Sequence, residues 1–263
     1  VKGAHPSLSP SAINTYLRCP LRFYYEYVCN YRMPQPTPDD GIQPNLLGTI
    51  FHAAAQAVYE RVVSDHRGTP PPGYLEALAR RPKTGEPSPL HPYIVQAFAK
   101  ENFEPEQLPV LEASVVEMYL RILLEDDAQL DELQVCELER WHEMHLPLPE
   151  GLGASHVTIG GIMDRLDRVT HDGRRLWRIV DYKTGGDPET ADSVAQLFEV
   201  RGGKHRHYML QTFIYAEILR RELAPDASSI APALYFVHRA RGKNGFSPYL
   251  KMGKGLSLIH ISE

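Results

Sequence analysis

The sequence predicts an α/β domain, a mixed central sheet flanked by helices, with a helical elaboration at the N-terminus. Three observations lead there. Residues 133–148, 156–169 and 175–183 read as three successive strands, and His171-Asp172-Gly173 is a hairpin-type turn between the last two. An amphipathic helix over 207–223 then precedes a short apolar run over 230–237. Three sequential strands suggest an antiparallel meander, and a crossover helix returns the last strand to the same sheet.

The N-terminal half is helical. Ser9-Pro10 is a helix start, with Ser as N-cap and Pro at the first helical position. That helix runs to about Arg18, breaks at Cys19-Pro20 and resumes through Val28. Four prolines mark a linker over 33–45. Leu47, Ile50, Phe51, Ala54, Val58 and Val62 then repeat at helical spacing. Residues 66–90 are rich in Pro, Gly and Arg and read as a loop with at most a short helix. A long helix is expected over 106–125, a turn at Gly151 and Gly153, and a polar loop over 187–203.

Composition narrows the function classes. Of the 263 residues, 43% are hydrophobic and 23% charged, ordinary values for a folded soluble domain. No apolar run is long enough to span a membrane. The 3 cysteines, Cys19, Cys29 and Cys136, are too few for a disulfide framework and point to a reducing, cytoplasmic setting. The net charge of −5 excludes a basic nucleic-acid coat, so any such binding uses local patches. The opening Val1-Lys2-Gly3 reads as the interior of a longer chain. The tail over 256–263 reads as a translated sequencing adapter, which leaves a single domain over 1–255. Within it, 1–45 is a helical lead-in and linker, 46–130 a helical part, and 131–255 the catalytic sheet and helix.

Asp181-Tyr182-Lys183 stands at the end of the third strand, before the breaker Thr184-Gly185-Gly186. Strand side chains alternate faces, so Asp181 and Lys183 share one. A carboxylate and an ammonium side by side suit a divalent cation and an anionic substrate. Asp164, on the preceding strand between Ile162 and Leu166, is a second acid among apolar neighbours. Such a carboxylate needs a partner or a cation, and hard cations prefer oxygen ligands. An ion pair with Arg165 or Arg168 is the competing explanation, and it suits Asp167 better than Asp164. His52 follows Gly48 by one helical turn, and its imidazole is either structural or a third ligand.

Four motifs, in order, resemble the PD-(D/E)XK nuclease superfamily in its RecB/AddB branch. They are Gly48-Thr49-Ile50-Phe51-His52, Gly161-Ile162-Met163-Asp164-Arg165-Leu166-Asp167, Asp181-Tyr182-Lys183-Thr184-Gly185 and Gln211-Thr212-Phe213-Ile214-Tyr215. Leu8-Ser9-Pro10-Ser11 and Cys19-Pro20-Leu21-Arg22-Phe23 also resemble the lead-in of AddB-type nuclease domains. The resemblance implies a restriction-endonuclease-like core and a Mg²⁺- or Mn²⁺-dependent deoxyribonuclease acting on DNA ends. It implies metal ligation by His52, Asp164, Asp181 and the carbonyl of Tyr182. Lys183 is expected beside the scissile phosphate, with Gln211 and Tyr215 touching a DNA phosphate or holding Lys183. It further implies a helicase in the same parent chain or in a partner subunit, and no membrane.

Arg201, Lys204 and Arg206, with His207, and then Arg239, Arg241 and Lys243, form basic loops on either side of the last helix and strand. They are DNA-contact candidates or a solvated charge run. Tyr16, Phe23, Tyr24, Tyr25, Tyr27 and Tyr31 suit helical packing better than base stacking. Cys19 matches the first of four cysteines that hold a 4Fe-4S cluster in many AddB-type domains. Cys29 and Cys136 do not supply the rest, so the chain as given completes no such cluster. A stand-alone exonuclease like those of CRISPR adaptation would use the same chemistry, and a silent DNA-binding scaffold is a second alternative, which the presence of all the acids and the lysine argues against.

Overall fold

The computed structural model describes residues 7–31, 43–171, 173–200, 205–223, 230–239, 249–252 and 256–257. Its axis is a long strand, β3 (His156–His171). One edge of β3 is covered along its length by antiparallel β2 (Glu132–Pro147), from the Glu132–Thr170 pair to the Pro147–His156 pair. The other edge is shared. Near its start it carries β1 (Ser7–Leu8) in parallel, with Leu8 opposite Ile159. Near its end it carries β4 (Arg174–Lys183), antiparallel from His171–Arg174 to Arg165–Val180. β5 (Ile230–Phe236) lies parallel to β4, with Lys183 opposite Phe236. The meander and the returning strand are therefore as expected, and β1 is an addition. Two residues that pair with a strand some 150 positions away give no local signal.

Helices cover both faces. On one side lie α3 (Pro44–His66), α4 (Tyr74–Ala79), α5 (His91–Lys100) and α6 (Val110–Asp127). Phe51, Val58, Phe98 and Leu123 there pack on Val135, Val169, Leu176 and Val180 of the sheet. On the other side lies α8 (His207–Glu222), after the short α7 (Val194–Leu197). Its Tyr215, Ile218 and Leu219 pack on Met163, Leu166 and Ile179. α1 (Pro10–Arg18), capped by the Ser9 hydroxyl as expected, lays Ile13 and Leu17 against the start of α8 and Phe236. It leads into α2 (Pro20–Phe23) and a single π-helical turn, Tyr24–Val28. β6 (Lys251–Met252) and β7 (Leu256–Ser257) pair with each other.

The structure differs from the sequence reading in the helical half. α5 was not expected, and the long helix starts at Val110 after a 3₁₀ turn at Pro105–Gln107. The signal for α5 was present, since Pro92 suits a first helical turn and Ile94, Ala97 and Phe98 are spaced for one buried face.

Under α3 and α6 the sheet buries a group of charges. Arg165 and Arg178 are fully buried. Arg165 meets Asp127 at 2.7 Å and Asp167 at 3.1 Å. Arg178 meets the same acids at 2.8 and 2.7 Å. Tyr59 donates to Asp127 at 2.5 Å, and Tyr235 accepts from Arg178 at 3.0 Å. Asp167 is thus an ion-pair residue, as expected, but its second partner is Arg178. Arg168 instead lies over the Trp177 ring, 4.4 Å from its centre. No helix among the described residues is long and apolar enough to cross a membrane.

Candidate active site

The β3–β4 ladder ends at the Arg165–Val180 pair, so Asp164 and residues 181–183 lie in a fork beyond its last rung. Freed from its neighbour strand, the Tyr182 amide donates instead to Asp164 Oδ2 at 2.9 Å. Alternation along β4 turns Tyr182 toward α3, where its ring meets Phe51 edge-on. The same alternation turns Asp181 and Lys183 toward α8.

α3 delivers His52 from the other side. Its Nε2 lies 3.1 Å from the Tyr182 carbonyl oxygen and its Nδ1 3.4 Å from Asp164 Oδ2. Gly48, one turn earlier, permits this approach, because a Cβ there would stand 3.0 Å from Thr184 Oγ1. Burial opposes protonation of His52, but the Asp164 carboxylate outweighs it and raises the imidazole pKa. Burial likewise opposes ionisation of Asp164. His52, the Tyr182 amide and Lys183 prevail and hold that carboxyl below its usual range.

A residue that sequence reasoning missed completes the group. Glu139 of β2 adopts a left-handed backbone, φ 46°, uncommon for any residue with a side chain. Ligand atoms of His52, Glu139 and Asp164 all lie within 4.8 Å of one another. Burial and then the Asp164 charge push Glu139 up to about 7. An acid on a half-exposed strand is ordinary, and only the β2–β3 register brings this one opposite Asp164. Its one sequence trace is the rhythm of Glu137, Glu139 and Arg140 in a strand that is otherwise apolar on alternate positions.

Two carboxylates and an imidazole form a donor set that suits Mg²⁺ or Mn²⁺. His52 Nε2–H donating to Tyr182 would leave Nδ1 free to ligate, the usual way a metal-bound imidazole is oriented. That contact uses one lone pair of the carbonyl expected to be a ligand. Asp181, also expected as a ligand, stands outside the close group of three. Its buried Oδ2 is 2.5 Å from Lys183 Nζ, an ion pair that holds the two side chains together.

Lys183 lies over the Tyr208 ring, 4.9 Å from its centre. Burial would lower its pKa, but Asp181 dominates and raises it, so it stays an ammonium. Gln211 holds Asp181, not Lys183, donating to its Oδ1 at 3.0 Å. Tyr215 is only 5% exposed and packs at Gly161, where a Cβ would meet its hydroxyl at 2.8 Å. Gln211 and Tyr215 therefore position Asp181 and the β3 backbone. An open cleft of about 440 Å³ fronts the group, lined by His52, Glu139, Lys183, Thr184 and Tyr208.

The basic candidates fare differently. Arg206 spends its guanidinium on the carbonyls of Thr190 and Gln196, and His207 pairs with Glu189 at 3.2 Å. Arg239 pairs with Asp187 on the surface. Arg201, Lys204, Arg241 and Lys243 lie outside the described residues. Cys19 and Cys29 are free and exposed and Cys136 is half-buried, and no cysteine cluster exists among the described residues. The structure thus lends no support to an iron–sulfur centre.

No curated protein matches the chain. The model of the PD-(D/E)XK nuclease superfamily matches residues 7–253, a span that contains every residue of this site and the elements that place them. With the forked sheet and the Asp164, Asp181 and Lys183 arrangement in hand, the chain belongs to that superfamily.

Proposed function

We propose that this domain is a metal-dependent deoxyribonuclease that hydrolyses phosphodiester bonds at DNA ends, as the nuclease part of an AddB/RecB-like helicase–nuclease in double-strand-break repair. The observation that carries the reading is the close group of His52, Glu139 and Asp164 beside the Asp181–Lys183 pair. The ordered Gly48–His52, Gly161–Asp167, Asp181–Gly185 and Gln211–Tyr215 motifs support the AddB/RecB assignment.

His52, Glu139 and Asp164, with Asp181 behind them, would hold Mg²⁺ or Mn²⁺. Such an ion supplies an acidified water and offsets charge on the leaving oxygen. Lys183, held as an ammonium, has donors beyond the one facing Asp181. They suit a phosphoryl oxygen as negative charge grows on it. Gln211 fixes Asp181, which in turn fixes Lys183. Burial and the Asp164 charge raise the Glu139 pKa to about 7, and a bound cation would favour its carboxylate form.

The test is cleavage of end-labelled linear single- and double-stranded DNA with Mg²⁺ or Mn²⁺, wild type beside Lys183→Ala. Metal-dependent degradation that the variant loses supports the reading. A folded wild type that leaves both substrates intact with either ion removes it. Helicase-like sequence upstream in the same reading frame would support the proposed parent.

A further inference from the structure

An aromatic surface beside the site has no role in the chemistry above. Tyr16, Tyr24, Tyr25, Tyr27 and Tyr31, five of the 14 tyrosines, fall within one short segment. Helical packing was the favoured expectation, but each of these residues is 45% to 59% exposed. Four of them meet rings of their own segment. Tyr16 meets Phe23 edge-on at 5.5 Å, Phe23 stacks on Tyr27 at 5.3 Å, and Tyr24 meets Tyr25 edge-on at 5.6 Å. The π-helical turn at Tyr24–Val28 helps spread them, because its wider turn breaks the regular helical spacing. An exposed patch of this kind marks an interaction site. Tyrosines in particular suit a partner with flat faces and wet edges.

Position and charge specify the partner. The described N-terminal segment, residues 7–31, carries Arg18 and Arg22 against the single acid Glu26, in a chain of net charge −5. α1 lies along α8, where Asn14 Nδ2 donates to the His207 carbonyl at 3.0 Å. The Arg18 charge reaches His205 and His207. Next to His207 comes Tyr208, whose ring underlies Lys183. α1 thus brings the tyrosine segment and Arg18 to the start of α8, where the His207 ring meets Tyr208 and Tyr208 underlies Lys183. Duplex DNA hides its base faces in the stack, whereas unpaired bases offer a ring at every step and a phosphate between rings.

We infer that the Tyr16–Tyr31 surface is a stacking platform for unpaired bases, which leads a single-stranded end past Arg18 to Lys183. The inference rests on the nuclease reading and adds a strand path to it.

Fluorescence anisotropy in EDTA, where binding is separated from cleavage, tests it. The probes are labelled oligo(dT), the same strand with abasic sites, and a duplex. The proteins are wild type, Tyr24→Ala/Tyr25→Ala and Tyr24→Phe/Tyr25→Phe, each checked by thermal melting. The alanine pair should weaken oligo(dT) binding about tenfold or more, and the phenylalanine pair should restore it. Wild type should bind the abasic strand no better than the alanine variant does. Unchanged oligo(dT) affinity in the alanine variant, or an equal loss on the abasic strand, overturns the platform. Cleavage of oligo(dT) with Mg²⁺ is followed in parallel. A wild type that cleaves while the alanine pair binds normally loses the platform and keeps the nuclease. A wild type that binds by stacking and never cleaves keeps the platform and loses the nuclease.

Discussion

Glu139 and Asp164 face each other across the β2–β3 ladder, between the Leu138–Arg165 and Arg140–Met163 pairs. Like charges directly opposite on a sheet repel. The site settles this by keeping Asp164 ionised through His52 and the Tyr182 amide, while Glu139 holds a proton up to about pH 7. A divalent cation would remove the repulsion altogether.

The first prediction is a pH slope in the metal-free protein. Glu139 has a folded pKa raised from 4.5 to about 7. Stability it contributes as the neutral acid is therefore full below about 4.5 and lost as pH rises through 7. The whole shift would amount to about 3 kcal/mol, and solvent screening at this partly exposed carboxyl reduces it to about 1 kcal/mol. Melting in EDTA from pH 5 to 8 should fall for wild type and stay flatter for Glu139→Gln. Parallel curves would remove the assigned repulsion.

Replacing His52 should cost metal affinity. His52→Ala removes one donor from the group and the contact that orients it, and the Mn²⁺ midpoint should rise about tenfold or more. A thermal-shift titration reads this without any turnover. An unchanged midpoint counts against ligation.

Lys183→Ala should lower cleavage by roughly 10² to 10³, the usual loss when one donor to a developing charge is removed. The fold should persist, read by circular dichroism, because Gln211 still holds Asp181. Gln211→Ala should lower cleavage less, since it acts only through Asp181. Full turnover in the Lys183 variant would refute its role.

The buried charges predict a stability defect away from the site. Asp127→Ala leaves Arg165 and Arg178 without one of their acids inside the protein. Breaking such a group costs about 3 to 5 kcal/mol. Urea unfolding should show a lower midpoint with little change in slope. A shift below about 1 kcal/mol would mean that the arginines find water.

Much of the site was legible because its residues sit in local contexts that betray them. Asp164 is an acid between apolar neighbours, Asp181 and Lys183 share a strand face, and His52 stands one turn after a glycine. Gln211 was legible by position but not by partner, since only packing shows that it reaches Asp181. Glu139 was not legible, because its meaning comes from the residue opposite it. Arg178 sits in the middle of an apolar strand, and nothing local shows that two distant acids neutralise it. Conversely, the tyrosines over 16–31 read as helix-packing residues, and a sequence alone does not say which side of a helix is left uncovered.

The parallel pairing of β4 with β5 has a consequence for synthesis on the ribosome. β4 carries Asp181 and Lys183 at its end, yet Lys183 gains its strand partner only when Phe236 arrives. Until then β4 is an open edge, and Asp181 has Gln211 of α8 beside it but no neighbour strand. The sheet edge that carries Asp181 and Lys183 is therefore the last to be closed during translation. A chain ended before β5 would carry Glu139, Asp164 and Asp181 on a sheet whose β4 edge is still open.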